Sequence, residues 1–262
     1  VGRDLDGAMT RRWMATDIMW GALAFVLLSG CQRAGGAAIR GVQAPAQLDV
    51  TRSITSRGGY LLYLPTDYDR AKPGGWPLLV FLHGAGERGT DLKGPAVHGP
   101  ARLLREGKPL PFIVVSPQVA GWEIWSTTWI DALIDDVSRR YGVDPDRIYM
   151  TGLSMGGYGA WQYAMERPNT LAALAPVSAG GVPSGACGLT HLPIWVFHGA
   201  KDDIVPIDRA QQIVDRIKGC KGTNVQMTIY PNAGHDAWTE TYANPALYEW
   251  LARQRRVRPG TD

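Results

Sequence analysis

The residues predict an α/β chain: a mostly parallel sheet of eight strands with helices on both faces. Two observations carry this. From Leu48 onward, short β-rich runs bounded mostly by Gly, Pro or Asn alternate with longer stretches of helical periodicity. Parallel neighbours need long crossovers, and helices supply them. The first strand-like runs also follow one another with no helix between them, which predicts an antiparallel edge.

In chain order, the strand candidates are Leu48 to Ile54, Tyr60 to Leu64, Leu78 to Leu82, Phe112 to Ser116, Arg147 to Thr151, Leu171 to Val177, Ile194 to His198 and Val225 to Tyr230. Helices are expected over Thr127 to Tyr141, Ser154 to Arg167, Ile207 to Lys218 and Pro245 to Arg256. No internal repeat interrupts this order, so residues 47–262 read as one domain. With 262 residues, 45% apolar and 19% charged, the chain has an ordinary globular composition and is neither disordered nor fibrous. A net charge of +3 is too slight for a nucleic-acid surface. Three cysteines are too few for a disulfide scaffold and too scattered for a zinc site, so no metal is expected.

In an open sheet of this kind, ligands bind beyond the carboxyl ends of the strands. Several chemistry-bearing residues stand there. Gly152-Leu153-Ser154-Met155-Gly156 lies between the strand candidate ending at Thr151 and a helix candidate. G-x-S-x-G between strand and helix is the mark of a sharp turn that projects a serine hydroxyl, with room for little beyond Gly on either side. A serine alone is a poor nucleophile and needs an imidazole to take its proton and a carboxylate to orient that imidazole.

Five histidines compete for the base. His83 and His98 precede Ser154, His191 lies before a strand and His198 ends one. His235 follows the last strand across a short Pro231-to-Gly234 turn and is the best candidate. The acid should come from the loop after the previous strand, where Asp202 and Asp203 are adjacent and only one can face the imidazole. Asp208 belongs to the first turn of the next helix. Donors for a developing oxyanion are expected from the Gly-rich loop His83 to Gly89 and from the residue after the nucleophile, as backbone N–H groups of Ala85 and Met155, with Gly86 as the alternative. The G-x-x-x-x-G-K-[ST] spacing of a phosphate loop is not present there, since Thr90 follows Gly89.

Taken together, Phe81 to Gly89, Asp144 to Tyr149 leading to Gly152 to Gly159, His198 to Pro206 and Gly234 to Trp238 resemble an α/β-hydrolase of the dienelactone hydrolase and phospholipase/carboxylesterase group. The likeness spans nearly everything from Leu48 to Arg255 and extends to feruloyl-esterase-like and polyhydroxyalkanoate-depolymerase-like secreted enzymes. It implies the α/β-hydrolase fold and hydrolysis of small or aromatic carboxylic esters with no cofactor. Resemblance to the H-G-x-x-D-x-x-V-P pattern of esterases selects Asp202 over Asp203. Dienelactone hydrolases proper use a cysteine nucleophile, so Ser154 departs from that substrate assignment. Two further readings share these residues: a serine peptidase of the prolyl-oligopeptidase type, and a non-catalytic binding lipoprotein on a hydrolase fold.

Ten Trp against four Phe is unusual, and amphipathic indoles suit half-buried cleft walls. Trp122, Trp125 and Trp238 are the candidates for substrate contact, whereas Trp129 and Trp161 are expected to pack helices on the sheet. The absence of a long lid insertion points to small, accessible esters.

Residues 1–30 read as a signal peptide of the lipoprotein type. Ile18 to Leu28 is an unbroken apolar stretch, preceded by Arg11 and Arg12 and followed by Leu28-Ser29-Gly30-Cys31, which resembles a bacterial lipobox. Cys31 is then the lipidated residue and the membrane anchor, and residues 31–46 form a Gly- and Ala-rich tether. The expected location is the bacterial envelope. In that oxidising setting Cys187 and Cys220, each shortly before a strand, are a candidate disulfide.

Overall fold

The computed structural model describes residues 40–41, 43–51 and 55–256. The expected signal peptide, Cys31 and most of the expected tether lie outside the described residues. Eight strands form one sheet: β1 (Gln43–Thr51), β2 (Thr55–Tyr63), β3 (Trp76–Leu82), β4 (Ile113–Pro117), β5 (Val143–Leu153), β6 (Ala173–Val177), β7 (Ile194–Gly199) and β8 (Val225–Tyr230). Their spatial order is β1-β2-β4-β3-β5-β6-β7-β8. β1 and β2 pair antiparallel, as do β2 and β4, and the other pairs are parallel. The antiparallel edge therefore comprises the two strands joined without a helix. β1 starts at Gln43 rather than Leu48, so its first residues fall inside the segment expected to be tether.

Among the described residues, six α-helices accompany the sheet: α1 (Gly99–Arg105), α2 (Thr127–Tyr141), α3 (Met155–Glu166), α4 (Asp208–Gly219), α5 (Trp238–Ala243) and α6 (Pro245–Arg253). The ends of α2 follow from its sequence. Ser126 accepts a hydrogen bond from the Trp129 amide at the start, and Gly142 takes the left-handed conformation at the stop, with φ 63°.

The sheet divides the interior in two, and the period of a strand decides which side a residue serves. On β3, Leu78, Val80 and Leu82 enter one core cluster and Leu79 and Phe81 the other. Ile130, Leu133 and Val137 of α2, Trp161 of α3 and Ile213 and Ile217 of α4 cover the first face. Ala101 and Leu104 of α1, Tyr242 of α5 and Leu247 and Leu251 of α6 cover the second. β3 and β4 are buried throughout, which is why they read as continuous apolar runs rather than alternating ones. This is the α/β-hydrolase fold that the sequence implies.

Candidate active site

Ser154 sits between β5 and α3 with φ 50° and ψ −119°, a region that non-glycine residues rarely enter. The surrounding backbone holds it there. Its N–H donates to the Val177 carbonyl at 2.9 Å. A Cβ on Gly156 would overlap the Leu82 carbonyl, and one on Gly152 would overlap Gly156. A Cβ on Gly157 would come within 2.5 Å of the Ala179 side chain. The glycines of the motif thus let α3 start against the ends of β3 and β6, which turns the serine outward.

Asp202 and His235 come from the loops after β7 and β8, and backbone hydrogen bonds join those loops. Ala200 N–H donates to Tyr230 O and Lys201 N–H to Ala233 O, each at 2.9 Å. Gly199 lies so close to Gly234 that no side chain would fit between them. His235 Nε2 is 2.9 Å from Ser154 Oγ. Its Nδ1 lies 3.0 and 2.9 Å from the two carboxylate oxygens of Asp202. The carboxylate requires Nδ1 to carry the proton, which leaves Nε2 free to accept from the serine hydroxyl. Asp202 is fully buried as a side chain and also accepts from the Ile204 and Val205 amides at 3.0 and 2.8 Å. Asp203, its neighbour, faces solvent. The structure therefore brings Ser154, His235 and Asp202 into one hydrogen-bonded line and leaves Asp203 out of it.

Ala85 and Met155 each open a helical segment, Ala85 a short 3-10 turn to Glu87 and Met155 the helix α3. N–H groups in that place have no partner within their own helix. Gly156 of α3 presses on the carbonyls of Leu82 and His83, which lead into the 85–87 turn. The loop itself is pinned from below by His83. Its Nδ1 bonds the Gly84 carbonyl at 2.7 Å, its Nε2 accepts from the Val119 amide at 3.3 Å, and its own carbonyl accepts from the Trp125 indole at 3.1 Å. Burial, with a smaller push from Arg88, lowers the His83 pKa from 6.5 to about 4, against the pull of the Gly84 carbonyl. His83 is a neutral strut.

Beside Ser154 opens a cavity of about 350 Å³ lined by Ile124, Trp125, Met155, Tyr158, Gly159 and Gln162. Of the three indoles expected to contact substrate, Trp125 lines it. Trp125 is also 97% buried, and Gly159 leaves the space for its ring. Trp122 is 84% exposed and is not among the lining residues. Trp238 stands edge-on to His235, ring centres 5.1 Å apart, and its ring centre is 5.7 Å from that of His98, so it packs by His235 and does not line this cavity. Trp129 packs against Gly58 and Trp161 is wholly buried, both in packing roles.

Tyr158, Gln162 and Ile124 escaped the sequence reading. A signal for two of them was present: Tyr158 and Gln162 lie four and eight residues after Ser154, a spacing that puts them on one side of α3. Cys187 and Cys220 are joined as a disulfide. Among the described residues, no group of His, Cys, Asp and Glu is arranged to hold a metal ion, and no helix is long and apolar enough to cross a membrane.

Residues 105–254 match the pattern that defines the dienelactone hydrolase family. The chain is 27% identical over 184 residues to a bifunctional acetylxylan esterase/xylanase of Neocallimastix patriciarum, covering 66% of this chain and 26% of that protein. It is 28% identical over 191 residues to a probable feruloyl esterase C of Aspergillus niger, covering 70% of this chain and 68% of that one. Among solved structures, a thermostable esterase is 30% identical with a TM-score of 0.71, covering 82% of this chain and 63% of the other. The chain thus spans about a quarter of the first relative and less than two thirds of the thermostable esterase.

Proposed function

From the premise that the chain belongs to the dienelactone hydrolase family, we propose that it is a serine carboxylic-ester hydrolase acting through Ser154, His235 and Asp202. The observation that carries this reading is the unbroken line from Ser154 Oγ through His235 to Asp202, with no contact longer than 3.0 Å. His235 Nε2 takes the hydroxyl proton as Ser154 Oγ attacks the ester carbonyl, and Asp202 holds the imidazole orientation and balances its charge. The N–H groups of Ala85 and Met155 receive the oxyanion, and the first-turn field of α3 favours negative charge there. His235 then protonates the departing alcohol. Water, deprotonated by the same imidazole, cleaves the acyl-enzyme and restores Ser154.

The acyl group belongs in the cavity beside Ser154. Its Trp125, Ile124 and Tyr158 walls suit a flat or aromatic acid, and the relatives named feruloyl esterases favour the same class. Trp122, exposed two residues before Ile124, and Trp238, beside the base, are proposed to meet the alcohol part outside the cavity. Export as a lipoprotein anchored at Cys31 completes the reading. The Cys187–Cys220 disulfide supports an oxidising compartment.

The test is Ser154→Ala against the unchanged protein, with nitrophenyl acetate and butyrate and feruloyl and hydroxyalkanoate esters as substrates and a fluorophosphonate as covalent label. The unchanged protein should hydrolyse esters and take the label, and the variant should do neither. Equal hydrolysis by both would sink the mechanism. Preference for acetyl over feruloyl esters would remove the aromatic-acyl assignment alone.

A further inference from the structure

We infer that His198 is a positioning residue for the proposed acid Asp202, a role that rests on the ester-hydrolase reading above and extends it. His198 ends β7 and is wholly buried, as is the Asp202 side chain. The His198 Nε2 lies 2.8 Å from the Val205 carbonyl, which accepts its N–H. The same nitrogen is 3.2 Å from Asp202 Oδ2. Val205 in turn gives its own N–H to Asp202 Oδ1 at 2.8 Å. The three residues therefore close a ring: His198 holds the carbonyl of Val205, Val205 holds one oxygen of Asp202, and the other oxygen rests beside the His198 N–H.

The ring matters because the two carboxylate oxygens are unequally served. His235 Nδ1 stands near both oxygens, but Oδ1 also receives two backbone amides, whereas Oδ2 has no amide and only the edge of His198 besides. The two oxygens turn together about the last side-chain bond, so the amides on Oδ1 and the His198 N–H beside Oδ2 restrain one rotation from its two ends, a rotation that would take Oδ2 off the His235 axis. His198 blocks that turn and keeps the 202–205 loop at the distance that fits. Its Nδ1 is buried with no partner, so nothing but the Val205 carbonyl and the Asp202 carboxylate engages the ring's polar edge. A histidine that served packing alone would not need its one bonded nitrogen beside the proposed acid.

The experiment uses the full chain and three variants. His198→Leu keeps bulk and removes the donor. His198→Gln puts an amide N–H where Nε2 stands, and His198→Asn puts one where Nδ1 stands. The first readout is the low-field proton resonance of the His235 Nδ1–H bond to Asp202, which needs no substrate. It should be present in the unchanged protein and in the Gln variant, and lost or shifted in the Leu and Asn variants. The second is ester hydrolysis. The Leu and Asn variants should lose kcat on the order of 10²-fold, the cost of a misplaced group of this kind, with KM little changed. The Gln variant should recover most of the loss.

Folded Leu and Asn variants with the original resonance and rate would overturn the proposal. Should the Leu variant not fold, the Gln and Asn pair decides: equal loss or equal retention also overturns it. If the unchanged protein shows the resonance but cleaves no ester, the functional reading fails while the resonance still tests His198.

Discussion

Asp202 and Asp203 are the same residue type one step apart, and their environments differ completely. One carboxylate is buried and accepts two amides and an imidazole proton; the other meets water. Asp202→Asn should therefore lower kcat on the order of 10³–10⁴-fold by removing the charge that fixes the imidazole tautomer, while Asp203→Asn should leave it nearly unchanged. Steady-state kinetics on the two purified variants checks this, and equal losses would reassign the acid. Residue type and position narrowed the acid only to an adjacent pair, and it took resemblance to the H-G-x-x-D-x-x-V-P pattern to select Asp202, because which side chain turns inward depends on the amides of Ile204 and Val205, a feature of loop closure.

His83 yields a second prediction at this scale. Its folded pKa is about 4 against 6.5 for a free histidine, so between those values the unfolded chain holds a proton that the folded chain lacks. Stability from this group is complete above about pH 6.5 and is lost as pH falls toward 4, on the order of 3 kcal/mol over that range. Urea unfolding at pH 7 and pH 4 should show His83→Asn losing less stability on acidification than the unchanged protein. Identical pH dependence would mean that the imidazole is not held neutral by burial.

At the scale of elements, the nucleophile turn depends on backbone meeting backbone. Gly156 has a main-chain carbonyl where a Cβ would go, whereas Gly86, in the loop of the proposed oxyanion donor Ala85, has nothing within 4 Å. Gly156→Ala should abolish activity and leave little soluble protein, since neither β3 nor α3 can give way; Gly86→Ala should fold normally. Far-UV circular dichroism and soluble yield distinguish them.

α2 was legible because its periodicity is strong over fifteen residues, and β8 because Asn224 and Pro231 bound a β-rich run; both occupy the residues expected of them. α1 and α5 were not, since seven residues led by Gly99 and Pro100, or six after His235, give no repeating pattern to read. α5 carries Trp238 against the base, so one wall of the site was hidden with it. The same limit explains the cavity: its Trp was readable as an excess aromatic, but Ile124 joins it only through the course of a loop.

At the scale of the molecule, the sheet assembles the site from residues far apart in sequence, because Ser154, Asp202 and His235 all follow the carboxyl ends of parallel strands. The disulfide acts on this same order. Cys187 lies in a short helical stretch after β6 and Cys220 caps α4, so the bond closes a loop of 33 residues that contains all of β7 and the Asp202 loop. In the chain-entropy account, such a loop contributes roughly 3–4 kcal/mol by restricting the unfolded chain. Replacing both cysteines by Ser should lower the unfolding free energy by about that amount, read by guanidinium titration. The ester rate at moderate temperature should stay nearly the same, because the hydrogen bonds joining the β7 and β8 loops do not involve either sulfur. A rate that fell together with stability would instead mean that the bond holds Asp202 in place. Because the bond needs oxidising conditions to form, protein made in a reducing cytoplasm and kept reduced should match the serine variant in stability and not the oxidised form.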